Sequence, residues 1–254
     1  MKNSIAAAMV AAFVPMAAGA QTGGAPKPEW AFSGNMSLVS DYRFRSISQT
    51  YRLPAIQGGF DLGHSAGFYA GTWASNVSGN QYPGGNGMEL DVYGGYKFEA
   101  GRGLTLDVGF IYYAYPDAKT GASKKFTTTE VYGGVSVGNL SAKLNYAISD
   151  SFGVNDSDGS YYLDLGYTYP VSKVTSLVLH VGRNSVSNGT QGGAPDPDYT
   201  DYKVGFTTEA VGLNWGIAYI GNNAKNAAYT VAGASGGSKI VSKDTVVLSV
   251  GKTF

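Results

Sequence analysis

The chain has 254 residues with 18 Lys+Arg against 18 Asp+Glu, so its formal net charge is zero and it lacks the basic footprint expected of a nucleic-acid binder. It contains no cysteine, which removes disulfides, thiolate metal ligands and cysteine nucleophiles together. With 37 glycines, 19 tyrosines, only 14% charged residues and no periodic runs of good helix formers, the composition points to an all-β chain.

Met1-Lys2-Asn3, the apolar run from Ile5 to Ala17 and Ala18-Gly19-Ala20 have the order of a signal peptide, with cleavage expected after Ala20. The run is shorter than the ~20 apolar residues that span a bilayer, and Pro15 interrupts it. Residues 1–20 are therefore expected to be a signal peptide, 21–29 a periplasmic N-terminal segment and 30–254 one domain, since no Pro/Ser-rich linker divides it.

From Trp30 onward the pattern alternates with a period of two between clusters of Gly, Asn, Asp and Pro. Trp30, Phe32, Gly34, Met36, Leu38, Tyr42 and Phe44 share one face of the first segment; Ser33, Asn35, Ser37, Asp41, Arg43 and Arg45 share the other. The stretch 88–98 is as regular, and further strands are expected at 54–62, 67–77, 104–115, 127–137, 140–150, 160–169, 175–185, 199–208, 211–220 and 244–254. These twelve segments are close to the ~9–11 residues that carry a tilted strand across a bilayer. In the third, the faces Phe68/Ala70/Thr72/Ala74 and Tyr69/Gly71/Trp73/Ser75 are similarly apolar and its phase stays open.

Connections alternate in length. Tight turns at 64–66, 99–102, 138–139, 170–173 and 209–210 alternate with longer polar loops at 46–52, 78–87, 116–126, 151–159, 186–198 and 221–243. Bacterial outer-membrane barrels have an even strand number, short periplasmic turns and long outer loops, so the expected fold is a transmembrane antiparallel β-barrel of about twelve strands. Placed this way, Trp30, Phe32, Tyr96, Phe98, Tyr167, Tyr169 and Phe254 form a periplasmic girdle. Tyr42, Phe44, Tyr112, Tyr161, Tyr202 and Tyr219 form an outer one. Arg183 and Lys252 fall on the lipid face near strand ends, where long side chains reach the headgroups. The last strand closes on Phe254, an aromatic end like the assembly signal of outer-membrane barrels, although Lys252 stands where an apolar residue is commoner.

The stretches SDYRFRSISQT (40–50), PAIQGGFDLGHSAGFYAGTWASNV (54–77), ELDVYGGYKF (89–98) and 128–149 together resemble the TorF-type porins, outer-membrane proteins of poorly defined function. The resemblance covers nearly all of the mature chain and implies a porin, but it carries over no residue with an established role.

The inward face is expected to hold Asp41, Arg43, Arg45, Asp61, Glu89, Asp91, Lys97, Asp107, Glu130, Lys143, Asp164, His180, Asp201 and Lys203. Acids outnumber bases there by eight to five, with His180 neutral, as suits a weakly cation-preferring, water-filled pore. The plainer reading is that opposite charges pair between neighbouring strands and fill a narrow interior. Tyr93, Tyr113, Tyr115, Tyr132 and Tyr162 also point inward, either as a stacking track for flat hydroxylated solutes or as space-fillers with satisfied hydroxyls. Twelve strands lie between filled eight-stranded barrels and open sixteen-stranded channels, so a restricted pore is expected.

The repeats Asp91-Val92-Tyr93-Gly94-Gly95 and Glu130-Val131-Tyr132-Gly133-Gly134 are poor phosphate loops, because no helix follows them. Within strands, such glycines usually mark close packing or a bend. A hydrolase would need a histidine beside a serine or carboxylate; only His64, in a short turn, and His180, in mid-strand, exist, and a set such as His180, Asp164 and a serine stays open to it. Two distant histidines without cysteine make a poor metal site.

The chain is therefore expected to be a bacterial outer-membrane channel for passive diffusion of small solutes, with no catalytic residue and no cofactor. Its expected partners are outer-membrane lipid and lipopolysaccharide, the barrel-assembly machinery and the solutes. The alternatives are a closed barrel serving as receptor, adhesin or structural protein, and an outer-membrane enzyme. Lys119, Lys124 and Lys125 could meet the anionic surface outside, and the Ala/Gly/Asn-rich loop 221–243 is expected to be mobile.

Overall fold

The computed structural model describes residues 28–120 and 124–254, so the expected signal peptide and most of the segment 21–29 lie outside the described residues. Twelve long strands follow one another: β1 (Trp30–Val39), β2 (Ala55–His64), β3 (Phe68–Asn76), β4 (Met88–Glu99), β5 (Leu104–Ala114), β6 (Thr128–Val137), β7 (Leu140–Ala147), β8 (Tyr161–Pro170), β9 (Thr175–Ser185), β10 (Tyr199–Ala210), β11 (Leu213–Asn222) and β12 (Thr245–Thr253). Each pairs antiparallel with its neighbours in sequence, and β1 also pairs with β12, which closes the barrel. The expected strand count and fold class hold. Three expected boundaries do not: β1 stops at Val39 rather than at 45, β7 stops at Ala147 rather than at 150, and the turn expected at 209–210 lies at Val211-Gly212, so that β10 runs on to Ala210 and β11 starts at Leu213; the remaining ends fall within two residues of expectation.

Alternation sorts the side chains as the period of two requires. Phe32, Met36, Leu38, Phe60, Val92, Phe110, Leu163, Val204, Ile217 and Leu248 are exposed on the outside, an apolar belt far too extensive for water and suited to hydrocarbon. Trp30, Phe98, Tyr169, Trp215 and Phe254 ring the end with the short turns; Tyr112, Tyr161, Tyr202 and Tyr219 ring the other. On this outer face Arg183 reaches Asp198 at 3.3 Å at the long-loop end, and Lys252 lies near the short-turn end.

Tyr42 and Phe44, expected in the outer girdle, are instead folded into the lumen; Tyr42 is only 2% exposed. The reason is the early end of β1, beyond which the chain turns inward. The open phase of the third strand is settled by burial and contacts: Tyr69 and Trp73 face the lumen, while Phe68 faces out. The loop 221–243 carries a short helical turn (Asn226–Tyr229) and a small ribbon pairing Thr230–Ala232 with Ser238–Ile240.

The seam runs from Asn35 opposite Thr253 to Val39 opposite Ser249. It is extended by reciprocal backbone bonds, Gly34 N–H to Phe254 C=O at 2.8 Å and Phe254 N–H to Gly34 C=O at 2.9 Å. The Phe254 ring lies over Gly34, where a β-carbon would come within 2.8 Å of its Cε2. Deleting Phe254 should therefore lower the fraction of protein inserted as a heat-modifiable barrel while export across the inner membrane continues. Unchanged insertion would show the terminal aromatic to be incidental.

Candidate functional site: the lumen and its inward-folded loop

The wall of the lumen is built from tyrosines lying on glycines. Gly71 sits opposite Tyr93, Gly95 opposite Tyr69 and Gly109 opposite Tyr132 in the strand register. A β-carbon at Gly71 would meet the Tyr93 ring at 2.5 Å, and one at Gly95 would meet the Tyr69 hydroxyl at 2.5 Å. The Tyr-Gly-Gly repeats thus serve packing: the inward glycine leaves a slot in which the neighbouring strand's ring lies flat.

The ring hydroxyls then meet inward carboxylates. Tyr93 donates to Asp61 Oδ1 and Tyr69 to Asp107 Oδ1, both at 2.6 Å, and Tyr69 also meets the Tyr132 hydroxyl. Lys97 Nζ is 3.7 Å from Asp107, and Lys143 Nζ lies 3.5 Å over the Tyr132 ring. His180 lies between two acids, with Nδ1 3.1 Å from Asp164 Oδ1 and Nε2 2.8 Å from Asp201 Oδ1, and Tyr162 bonds both His180 and Asp201. Each ring nitrogen faces a carboxylate, and among the described residues no serine hydroxyl bonds either one, so the suggested His180–Asp164–serine set is not assembled there. Among the described residues no group of three or more His, Cys, Asp or Glu side chains is spaced to hold a metal.

Asp41, Arg43 and Arg45 are inside the barrel as expected, but on a loop rather than on a strand wall. Residues 40–54 leave β1, turn inward and form a ribbon in which Arg43–Phe44 pairs with Ile47–Ser48. Its turn residues Arg45 and Ser46 take φ of 47° and 73°, the left-handed region usually left to Asn-Gly in such hairpins. Contacts with the opposite wall hold this geometry. Arg45 Nη2 donates to Glu130 Oε2 on β6 at 2.6 Å, and the guanidinium lies 4.6 Å over the Tyr162 ring. The Tyr199 hydroxyl donates to the Arg45 carbonyl at 2.7 Å, and the Ser46 hydroxyl to the Gly221 carbonyl at 3.2 Å. At its base, Arg43 pairs with Asp41 at 2.7 Å and donates to the carbonyls of Ser46, Val241 and Lys243. Phe44 packs edge-on against Tyr113 and Phe152.

Other loops pack over the outer end. Tyr82 stacks on Tyr115 with centroids 4.2 Å apart and bonds Gln49, and Tyr51 and Val241 pack with Tyr199. Beneath the inward loop remains a cavity of about 130 Å³, bounded by Asn35, Ser37, Gln57, Trp73, Asp91, Tyr93, Lys203, Ala218 and Ser249. Its sides differ. Inward positions of β1, β11 and β12 carry no charge and, apart from Val39, Ile220 and Val247, are small or polar; β2 to β10 carry the rings and the ions. Sequence reasoning missed Tyr42, Phe44, Gln49, Tyr51, Tyr82 and Tyr199 as lumen residues, because most belong to loops whose inward course leaves no periodic trace.

The family model described as a bacterial protein of unknown function (Gcw_chp) matches residues 23–254. No curated protein matches the chain. Among solved structures the fold is similar to that of the KdgM porin, with a TM-score of 0.50 at 10% identity over 87% of this chain and 98% of that one. It is also similar to the NanC porin, with 0.51 at 11% identity over 88% and 98%. At these identities the likeness establishes a shared barrel fold.

Outside the barrel wall, Lys124 does not stand free to meet an anionic surface. Its Nζ donates to Asp150 at 2.5 Å, to Asn155 at 2.6 Å and to the Val154 carbonyl at 3.1 Å. The lysine, together with the Ser157 amide at 2.9 Å, holds the Asp150 carboxyl below its ordinary range. Because the folded value is depressed, this clasp contributes stability above the unfolded aspartate value of ~3.9 and loses it as pH falls through the lower folded value. In an NMR titration the Asp150 carboxyl should report a midpoint below ~3.9, and Lys124→Ala should move it upward. A midpoint at or above the unfolded value would remove the clasp.

Proposed function

Starting from a chain that belongs to the Gcw_chp family of bacterial proteins of unknown function, we propose that it is an outer-membrane channel for passive diffusion of small solutes, narrow and weakly cation-preferring. The observation that carries this reading is a closed twelve-stranded barrel whose polar lumen is narrowed by an inward loop held at its far end by the Arg45–Glu130 pair. The resemblance to TorF-type porins points the same way, as does the shared fold with two proteins named porins. Lipid and lipopolysaccharide would surround the apolar belt, and the assembly machinery would read the closing strand.

The preference for cations rests on charge. Asp41, Asp61, Glu89, Asp91, Asp107, Glu130, Asp164 and Asp201 face Arg43, Arg45, Lys97, Lys143 and Lys203 inside the barrel, three more acids than bases with His180 neutral. Several are paired, so the residual field is weak and the preference small. Size rests on the loop, which occupies the outer half of a barrel whose strand number alone would leave more room.

Single-channel recording in planar bilayers, in potassium chloride with chelator, tests both parts. Small conductance is expected, with reversal potentials favouring potassium at ~0.1 M salt and less so at ~1 M, where the screening length falls from ~10 Å to ~3 Å. Neutralising Glu89, Asp91 and Glu130 together should move selectivity towards anions. Arg45→Ala, which cuts the loop from Glu130, should raise the conductance or the open fraction. Absence of conductance in both the unmodified protein and Arg45→Ala would transfer the assignment to a receptor or structural barrel, the reading that the packing of loops over the outer end favours.

A further inference from the structure

Six inward carboxylates have a hydrogen-bond or ionic partner: Asp61 has Tyr93, Asp107 has Tyr69, Glu130 has Arg45, Asp164 has His180, Asp201 has Tyr162, and Asp41 has Arg43. Two differ. Glu89 is 0% exposed and only the hydroxyls of Tyr42 and Tyr115 approach its two carboxylate oxygens, none in good hydrogen-bond geometry; among the described residues no cation pairs with it, and Asp91 Oδ1 is buried without a partner. Buried polar atoms go unpartnered rarely, and buried charge is stable only when paired or bound to a cation.

These oxygens converge. Glu89 and Asp91 are successive inward positions of β4, ~6.6 Å apart along the strand at two rises of ~3.3 Å, close enough for one ion to touch both carboxylates. The register sets Asp91 opposite Tyr113 and Leu90 opposite Ala114, so one further step brings Tyr115 opposite Glu89. Ser75 faces Glu89 from the other side. Tyr42, from the foot of the inward loop, covers the group and packs edge-on against Trp73. The cations nearest in the loop are committed elsewhere, Arg43 to Asp41 and Arg45 to Glu130.

We propose that Glu89 and Asp91 bind a divalent cation of the calcium class at the outer end of the lumen, with the Tyr115 hydroxyl and water completing its shell. The donors are all oxygen, which selects a hard ion over a transition metal, and two carboxylates match its charge. Calcium tolerates the irregular, partly hydrated shell that such a wall offers, whereas magnesium demands a near-ideal octahedron. The ion would sit where β4 meets the foot of the loop and so tie the inward loop to the wall. The inference does not depend on the channel reading, because binding is measured without conductance.

The test is calcium titration by calorimetry on the full-length mature barrel after chelator treatment, together with thermal unfolding. A single saturable site and a raised unfolding midpoint are expected in calcium. Glu89→Gln or Asp91→Asn should each weaken binding by about tenfold or more through loss of one charged ligand, and the double variant should abolish it; Asp61→Asn should leave it unchanged. Terbium supplies a check that needs no variant, since Tyr42, Tyr82 and Tyr115 would sensitise its emission at this site and calcium should displace it. Absence of saturable binding and of any midpoint shift in the unmodified protein would overturn the proposal. So would binding retained in the double variant, which would place the ion in the outer loops.

Discussion

Everything in this molecule follows from the need to leave no backbone amide or carbonyl unpaired in hydrocarbon. Water is absent there, so an open sheet edge would cost several kcal/mol for each unmatched group, and only closure removes the edge. The pairing of β1 with β12, continued by the reciprocal bonds between Gly34 and Phe254, is where the sequence meets that demand. Its two participants are the first and last strands of the barrel, so closure brings together segments that are far apart in sequence.

Closure fixes the circumference, and the interior must then be reconciled with it. Twelve strands enclose more space than their inward side chains fill. Part of that space is taken by thickening the wall: tyrosines laid on glycines of the neighbouring strand present hydroxyls to Asp61 and Asp107 rather than rings to the axis. The rest of the outer half is taken by the loop 40–54, at a local cost. Four non-glycine residues of this loop, Arg45, Ser46, Tyr51 and Arg52, lie in the left-handed region, at about 1–3 kcal/mol each. The buried Arg45–Glu130 pair and the Tyr199 hydroxyl on the Arg45 carbonyl act at the turn where the first two of them stand. The turn is thus held by what it reaches rather than by its own preference.

The barrel was legible in the sequence because its two determinants, a period of two and alternating connection lengths, are local and repeat twelve times. Most inward residues were legible for the same reason, once a strand's phase was known. The third strand lacked a phase because both its faces are apolar; the structure shows why, since Tyr69 and Trp73 pack against other lumen rings as an apolar face would. The inward loop was hidden because Asp41 to Arg45 continue the alternation of β1 without a break. Length could have exposed it: a strand from 30 to 45 exceeds the ~9–11 residues that cross a bilayer, and the surplus has to leave the wall. The partners of Glu130 and Tyr199 could not be read at all, because they depend on where that surplus goes.

The loop also links the width of the lumen to its charge. Arg45 and Glu130 neutralise each other across the barrel, and Arg43 and Asp41 do so at the base of the loop. With the loop in place, the interior holds three more acids than bases. Were it withdrawn, it would take Asp41, Arg43 and Arg45 with it. Seven acids would remain on the strands, Asp61, Glu89, Asp91, Asp107, Glu130, Asp164 and Asp201, against Lys97, Lys143 and Lys203, an excess of four. Glu130 would also lose its guanidinium and face water. Any cation occupying the Glu89–Asp91 pair would act in the opposite sense, lowering the acid excess while securing the foot of the loop. Width and field would therefore change together, in the same direction, through the placement of a single ribbon of chain.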